Sequence, residues 1–307
     1  MGRLTVALAL AAVTLASGCV SQTVIKANST PAIKAESDLP ENQLLDIGIA
    51  LFDPGIPEDF EETLKKLINP GVRRAEAGYM PYILKSTLTD TGNWGAVRVT
   101  PRDSSVVDLR VEATIIKSDG EQLELGVRAI DATGRVWLEK EYEDTASRFA
   151  YESQAHAHED PFQDIYNSIC NDLLEARQTL EAEQIEEIRD ITRLRFAADL
   201  SPDSFGNHID TEQDGTYYIR RLPAENDPML ARVESILQRE HMFIDVLDEH
   251  YGSFHNEMSQ PYNDWRQFSY EEVIALRDLQ AAARMRKIMG AAAIIGGAVL
   301  DSHSSNQ

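Results

Sequence analysis

Val107-Asp108-Leu109-Arg110-Val111-Glu112-Ala113-Thr114-Ile115 places an apolar residue at every second position. A period of two puts all of these apolar side chains on one face of an extended strand and the polar ones on the other. Residues 122–131 repeat the pattern with Leu123, Leu125, Val127 and Ala129, and residues 135–142 with Val136, Leu138 and Tyr142. Ser118-Asp119-Gly120 and Ala132-Thr133-Gly134 stand between these runs, short glycine-containing links suited to hairpins. Residues 94–100 form a further strand-like run. The stretch as a whole predicts a sheet with one buried and one wet face.

Upstream, residues 44–52 form a short, largely apolar run closed by Asp53-Pro54-Gly55, the expected signature of a buried strand and its turn. Residues 72–88 carry Ala75, Tyr79, Ile83, Leu84 and Leu88 at spacings that make one stripe on a helix, ended by Thr91-Gly92-Asn93. The predicted class is α+β, a helix packed on a mostly antiparallel sheet and followed by a mainly helical region. The expected division is an α/β domain over 44–150, a helical region over 151–287 and a C-terminal segment over 288–307.

Phe162, Ile165, Tyr166, Ile169, Cys170, Leu173 and Leu174 form a helical stripe behind Glu159-Asp160, acidic residues suited to a helix start. Cys170 on that stripe is expected to be a small buried hydrophobe rather than a reactive thiol. Residues 181–195 are dense in charge and predict a solvated helix, residues 202–215 a polar loop, and Tyr217-Tyr218-Ile219 one short strand. Asp227-Pro228 opens a helix with the clearest period in the chain: Leu230, Val233, Leu237, Glu240, Ile244, Leu247, Tyr251, Phe254 and Met258. So narrow a seam calls for a second helix alongside. The expected partner is residues 270–289, folded back after a break at Pro261, with a partner subunit as the alternative. Residues 288–300 are uncharged and rich in small residues, with Arg284, Arg286 and Lys287 just before them. Thirteen helical residues span roughly 20 Å, short of a hydrocarbon core of ~30 Å.

The chain begins with Arg3, an apolar run over residues 4–15, and Ala16-Ser17-Gly18 directly before Cys19. This is the layout of a secretory signal over residues 1–18. Ala16-Ser17-Gly18-Cys19 resembles the lipobox of bacterial lipoproteins, although Leu15 lies four places before the cysteine and the family more often has leucine three before. The alternative is a plain signal cut after Ala16 or Gly18. The resemblance implies lipidation at Cys19, and Val20-Ser21 in place of an aspartate implies the outer membrane, with the periplasmic side expected. Residues 19–43 then form a lipidated cysteine and polar tether.

With 29 basic and 51 acidic residues the formal net charge is −22, which argues against a nucleic-acid partner. Cys170 is the only cysteine besides Cys19, so no intrachain disulfide is expected once Cys19 carries lipid. Three groups carry metal-ligand side chains, and none is expected to be a metal site. His156-Ala157-His158-Glu159-Asp160 lacks a distant pair to complete a shell. Asp210, Glu212, Asp214 and Gly215 imitate half a calcium loop but put Arg221 where its glutamate belongs. His241, His250 and His255 do not stack on one helix face and are expected at solvated or rim positions. No cofactor or catalytic residue is predicted.

Residues 44–142 resemble the small α/β domain of the curli-secretion, penicillin-binding-protein activator and ABC-transport auxiliary lipoproteins. The likeness rests on Ile47-Gly48-Ile49-Ala50-Leu51-Phe52, the helix leading into Trp94-Gly95-Ala96-Val97-Arg98-Val99, and residues 130–137. It implies a non-enzymatic accessory or scaffold lipoprotein of the envelope, with a protein partner or self-association through the helical region. An oligomeric pore or secretion component using residues 288–300 is the alternative, and an envelope hydrolase a further one.

Overall fold

The computed structural model describes residues 30–37, 39–101, 106–152, 159–224 and 226–304, with side chains through Arg286. After a short 3-10 turn at Glu41–Gln43 the elements run β1 (Ile47–Ala50), α1 (Phe60–Lys65), α2 (Pro70–Thr91), β2 (Val97–Thr100), β3 (Leu109–Ser118), β4 (Gln122–Asp131) and β5 (Val136–Thr145). Then follow α3 (Arg148–Glu152), α4 (Gln163–Gln178), α5 (Ala182–Leu200), α6 (Pro202–Phe205), β6 (Ile209–Thr211), β7 (Tyr217–Ile219) and α7 (Pro228–Ser304). The protein is α+β, with five strands in the order β2-β1-β3-β4-β5.

The long ladders are the antiparallel pairs β3·β4 and β4·β5, joined by the two glycine turns. Val111 faces Ala129, Ala113 faces Val127 and Ile115 faces Leu125, so the alternating residues meet on one buried face. β2 and β3 do not form a hairpin with each other. β1 lies between them, parallel to both, and all four of its residues are buried, which is why it lacks alternation. Carboxylates gather the leading ends of these parallel strands: Asp46 Oδ1 accepts the Ala96 amide (2.8 Å), and Asp108 Oδ2 accepts the Asp46 amide (2.9 Å).

Helix α2 runs longer than its apolar stripe. Asn69 caps its start, Pro70 occupies the first turn, and Gly92 in the left-handed region (φ 67°) closes it. One buried cluster joins the sheet, α2, α4, α5 and Tyr262 of α7. Helix α5 differs from the solvated helix that its charges suggest: Ile185, Ile188, Ile191, Leu194 and Ala197 are buried along one side, and the charged residues cover the other. Residues 202–215 are likewise more than a loop. They hold α6, whose Phe205 packs with Ala197 and Val233, and strand β6, paired with β7.

The largest departure is α7. Pro261 does not break it, and residues 270–289 continue the same helix instead of folding back. Pro261 is exposed, so the carbonyl it leaves without an amide donor faces water, where the loss is cheapest. The seam is real, with Val233 and Ile244 buried and Leu230, Leu237, Leu247, Tyr251, Phe254 and Met258 half-buried. It packs on α2, β2 and α5 of the same chain. Asp248 takes the free edge of β2, its Oδ1 accepting the Val99 amide at 2.8 Å while its other oxygen pairs with Lys85. Two glycines let α2 and α7 approach closely: a Cβ on Gly78 would meet the Phe254 ring at 3.2 Å, and one on Gly252 the Tyr82 ring at 3.0 Å.

Candidate functional site

Where α7 crosses α2 and the start of α4, a polar cleft of about 540 Å³ opens. Tyr79 and Tyr82 come from α2, three residues apart; His255, Ser259 and Arg266 come from the inner face of α7, four or seven apart; Asp160 precedes α4. The His255 ring stacks on Tyr79 with centroids 4.3 Å apart at 19° and lies 4.8 Å from the Tyr82 ring. This corrects the expectation of a solvated or rim position for His255. Burial lowers its pKa, and the positive charge of Arg266 adds to that, against opposing pulls from Asn256 and Asp160. Its Nδ1 is buried without a hydrogen bond among the described residues.

Below the cleft lies a chain of buried charges. Arg266 Nη1 donates to Asp160 Oδ2 at 2.8 Å, and its guanidinium sits 4.4 Å from the centre of the Tyr262 ring. The Tyr262 hydroxyl donates to Glu76 Oε1 at 2.8 Å, and the Ser118 hydroxyl donates to the same oxygen at 2.6 Å. Arg73 faces Glu76 at 3.4 Å and donates to the Ile115 carbonyl at 2.9 Å. Burial raises the pKa of Glu76, outweighing the Ser118 and Tyr262 hydrogen bonds and the two arginines that favour its charge. Burial is the largest influence on Arg266 and works against its charge, but Asp160, by charge and hydrogen bond, together with Tyr262 and Tyr151 outweighs it and the guanidinium is held protonated. The two arginines balance the two carboxylates. Chemically the cluster is an interlock: it binds α7 to α2, to β3 through Ser118, and to the lead-in of α4.

The second distinctive feature is the far part of α7. Arg277 pairs with Glu121 in the turn between β3 and β4. Beyond it, no side chain from Asp278 to Arg286 bonds to another described residue, and residues 275–286 are exposed on every side. Leu276, Leu279 and Met285 are among them, Leu279 at 70% exposure. From Arg277 to Ser304 the helix extends ~40 Å. Among the described residues no helix is long and apolar enough to cross a membrane.

Cys19 and the histidines 156 and 158 lie outside the described residues, as do the side chains of 287–304. The described N-terminal segment is laid against the body. Asn167 Nδ2 donates to the Thr30 carbonyl (2.9 Å), Asn171 Oδ1 accepts the Ile33 amide (2.8 Å), and the Ala35 amide donates to the Thr91 carbonyl (2.8 Å). Asp210, Glu212 and Asp214 fall on the exposed β6–β7 hairpin, where Asp214 accepts the Thr216 amide and Asp210 faces Arg220. His241 Nε2 lies 3.3 Å from the Val106 carbonyl oxygen, and His250 is exposed. Cys170 is the buried side chain expected from its stripe, its thiol pKa pushed up by burial. Among the described residues no group of three or more His, Cys, Asp or Glu is placed to hold a metal ion.

The interlock residues were missed because polar groups within an apolar stripe read as interruptions. A signal was present: Tyr262 and Arg266 continue the α7 seam in steps of four past Met258, and Arg73 and Glu76 are three apart on α2. Comparison of the chain with protein-family models and with curated proteins finds no match to either.

Proposed function

We propose that this chain is a non-enzymatic accessory or scaffold lipoprotein of the bacterial cell envelope. In this reading Cys19 anchors it in the outer membrane, and the far part of α7 engages an envelope partner. The asymmetry of α7 carries the reading. Its first part is clamped to the body by a seam and by the buried Arg266–Asp160 pair, while residues 278–286, past the Arg277–Glu121 pair, continue as helix with no packing partner among the described residues. A helix without tertiary packing is marginal in water, so this part calls for a covering surface.

The lipobox-like Ala16-Ser17-Gly18-Cys19 supports the address. From Cys19 to the docked Thr30 the chain can reach at most ~40 Å, which keeps the body near the lipid. Helix α7, at 77 residues, is ~115 Å long and reaches much further. Replacing Cys19 by Ala is expected to move the protein from the membrane fraction to the soluble fraction. Unchanged sedimentation with membranes would count against the anchor.

A second reading is an oligomeric pore or secretion component in which several copies pool residues 288–300. What favours it is that this uncharged run lies on the same continuous helix. Light scattering of the lipidated protein in mild detergent, with and without residues 288–307, separates the two. A closed oligomer lost on truncation supports the pore, and a monomer in both forms supports the accessory reading.

A further inference from the structure

On another side of the α2–α7 crossing lies a hollow of different chemistry. It measures about 500 Å³, within the range of small-molecule sites. Its walls are Leu51 and Phe52, just past the carboxyl end of β1; Ala77 and Gly78 of α2; and Tyr251 and Phe254 of α7. β1 is flanked on both sides by parallel strands, and crevices beyond the carboxyl ends of such strands are where open α/β sheets bind ligands. Gly78 helps to shape the place, since a side chain there would press on the Phe254 ring.

The charge around this hollow runs opposite to that of the chain. Although the chain carries 51 acidic residues, no described one lines it; its ionisable residues are Arg74, His250 and the phenol of Tyr251. Arg74 and His250 are both exposed, and neither bonds to another described residue. An apolar slot with an uncommitted guanidinium at its rim is complementary to an amphiphile with a negative head. The planar fork of arginine meets a carboxylate through two parallel N–H donors.

We propose that this pocket binds a long-chain carboxylate, with the acyl chain against Leu51, Tyr251 and Phe254 and the carboxylate on Arg74. The inference is independent of what the far part of α7 contacts. Each methylene added while the chain still lies within the slot tightens binding roughly fourfold.

The test is photolabelling of the full lipidated protein in nanodiscs with a diazirine-bearing hexadecanoate, followed by peptide mapping. Label is expected on the peptides holding Tyr251 and Phe254, displaced by hexadecanoate and not by hexadecanol. Arg74→Glu, a change at an exposed position that circular dichroism can check for folding, is expected to cut the labelling about tenfold. Label spread over the apolar surface, equal displacement by the neutral alcohol, or labelling undiminished in Arg74→Glu overturns the proposal. Stronger displacement by lysophosphatidylglycerol than by hexadecanoate would also overturn it, by assigning the pocket to a phosphate head.

Discussion

Arg266 of α7 and Asp160 at the approach to α4 are joined by a 2.8 Å ion pair whose side chains are only 2% and 7% exposed. The pair is separated by 106 residues in sequence, and it pins the middle of the long helix to the body. Desolvating two charges is costly, so such a pair adds less net stability than its geometry suggests. Removing one partner is severe, because the other is left buried and alone.

Asp160→Asn is therefore expected to destabilise the protein by about 3–5 kcal/mol in chemical denaturation. The exposed pair Lys66–Glu62 provides the contrast, and Lys66→Ala is expected to change stability by less than ~1 kcal/mol. Equal effects of the two substitutions would mean that the interlock does not hold α7.

The close α2–α7 crossing depends on Gly252, where even a Cβ would lie 3.0 Å from the Tyr82 ring. Gly252→Leu should cost about 1–3 kcal/mol by overpacking, despite the better helix propensity of leucine. A gain in melting temperature would show that the two helices do not approach as described.

Acidity acts on the interlock in two opposite ways. Glu76 is buried with its pKa raised above 4.5, so the folded state binds the proton more tightly than the unfolded chain. Its contribution to stability is greatest at low pH and is lost as pH rises through the raised value. His255 has its pKa lowered below 6.5, chiefly by burial, so its contribution is present above 6.5 and lost as pH falls through the lowered value. Measured as melting temperature against pH, His255→Phe should make the acid-side decline shallower and Glu76→Gln should make it steeper. Two variants that both track the parent curve would contradict these assignments.

The hairpins of the sheet were legible because burial on a single face imprints a period of two on Leu109–Ser118 and Gln122–Asp131. The insertion of β1 between β2 and β3 was not, since strand partnership is a non-local choice that apolar content alone does not encode. The seam of α7 was readable residue by residue, but its continuity was hidden by Pro261. The cost of a helical proline depends on whether its side of the helix faces solvent, which tertiary packing decides. In α5 the charge density concealed an isoleucine stripe with a spacing of three. The interlock was illegible for a related reason: Glu76, Arg73, Tyr262 and Arg266 are polar residues in core positions, and the local pairs Arg73–Glu76 and Tyr262–Arg266 are tied together only by bonds between residues distant in the chain, Tyr262 to Glu76, Arg73 to Ile115 and Arg266 to Asp160.

The central claim is that the far part of α7 is a contact surface, and photo-crosslinking in native envelopes tests it most directly. A benzophenone amino acid is placed at Leu279, 70% exposed on that part, and in a second variant at Phe149, 53% exposed on the body. The account predicts a discrete adduct from Leu279, to an envelope protein or to a second copy of the chain, and none from Phe149. No adduct from Leu279, or from neighbouring Leu276 and Met285 in turn, would contradict it.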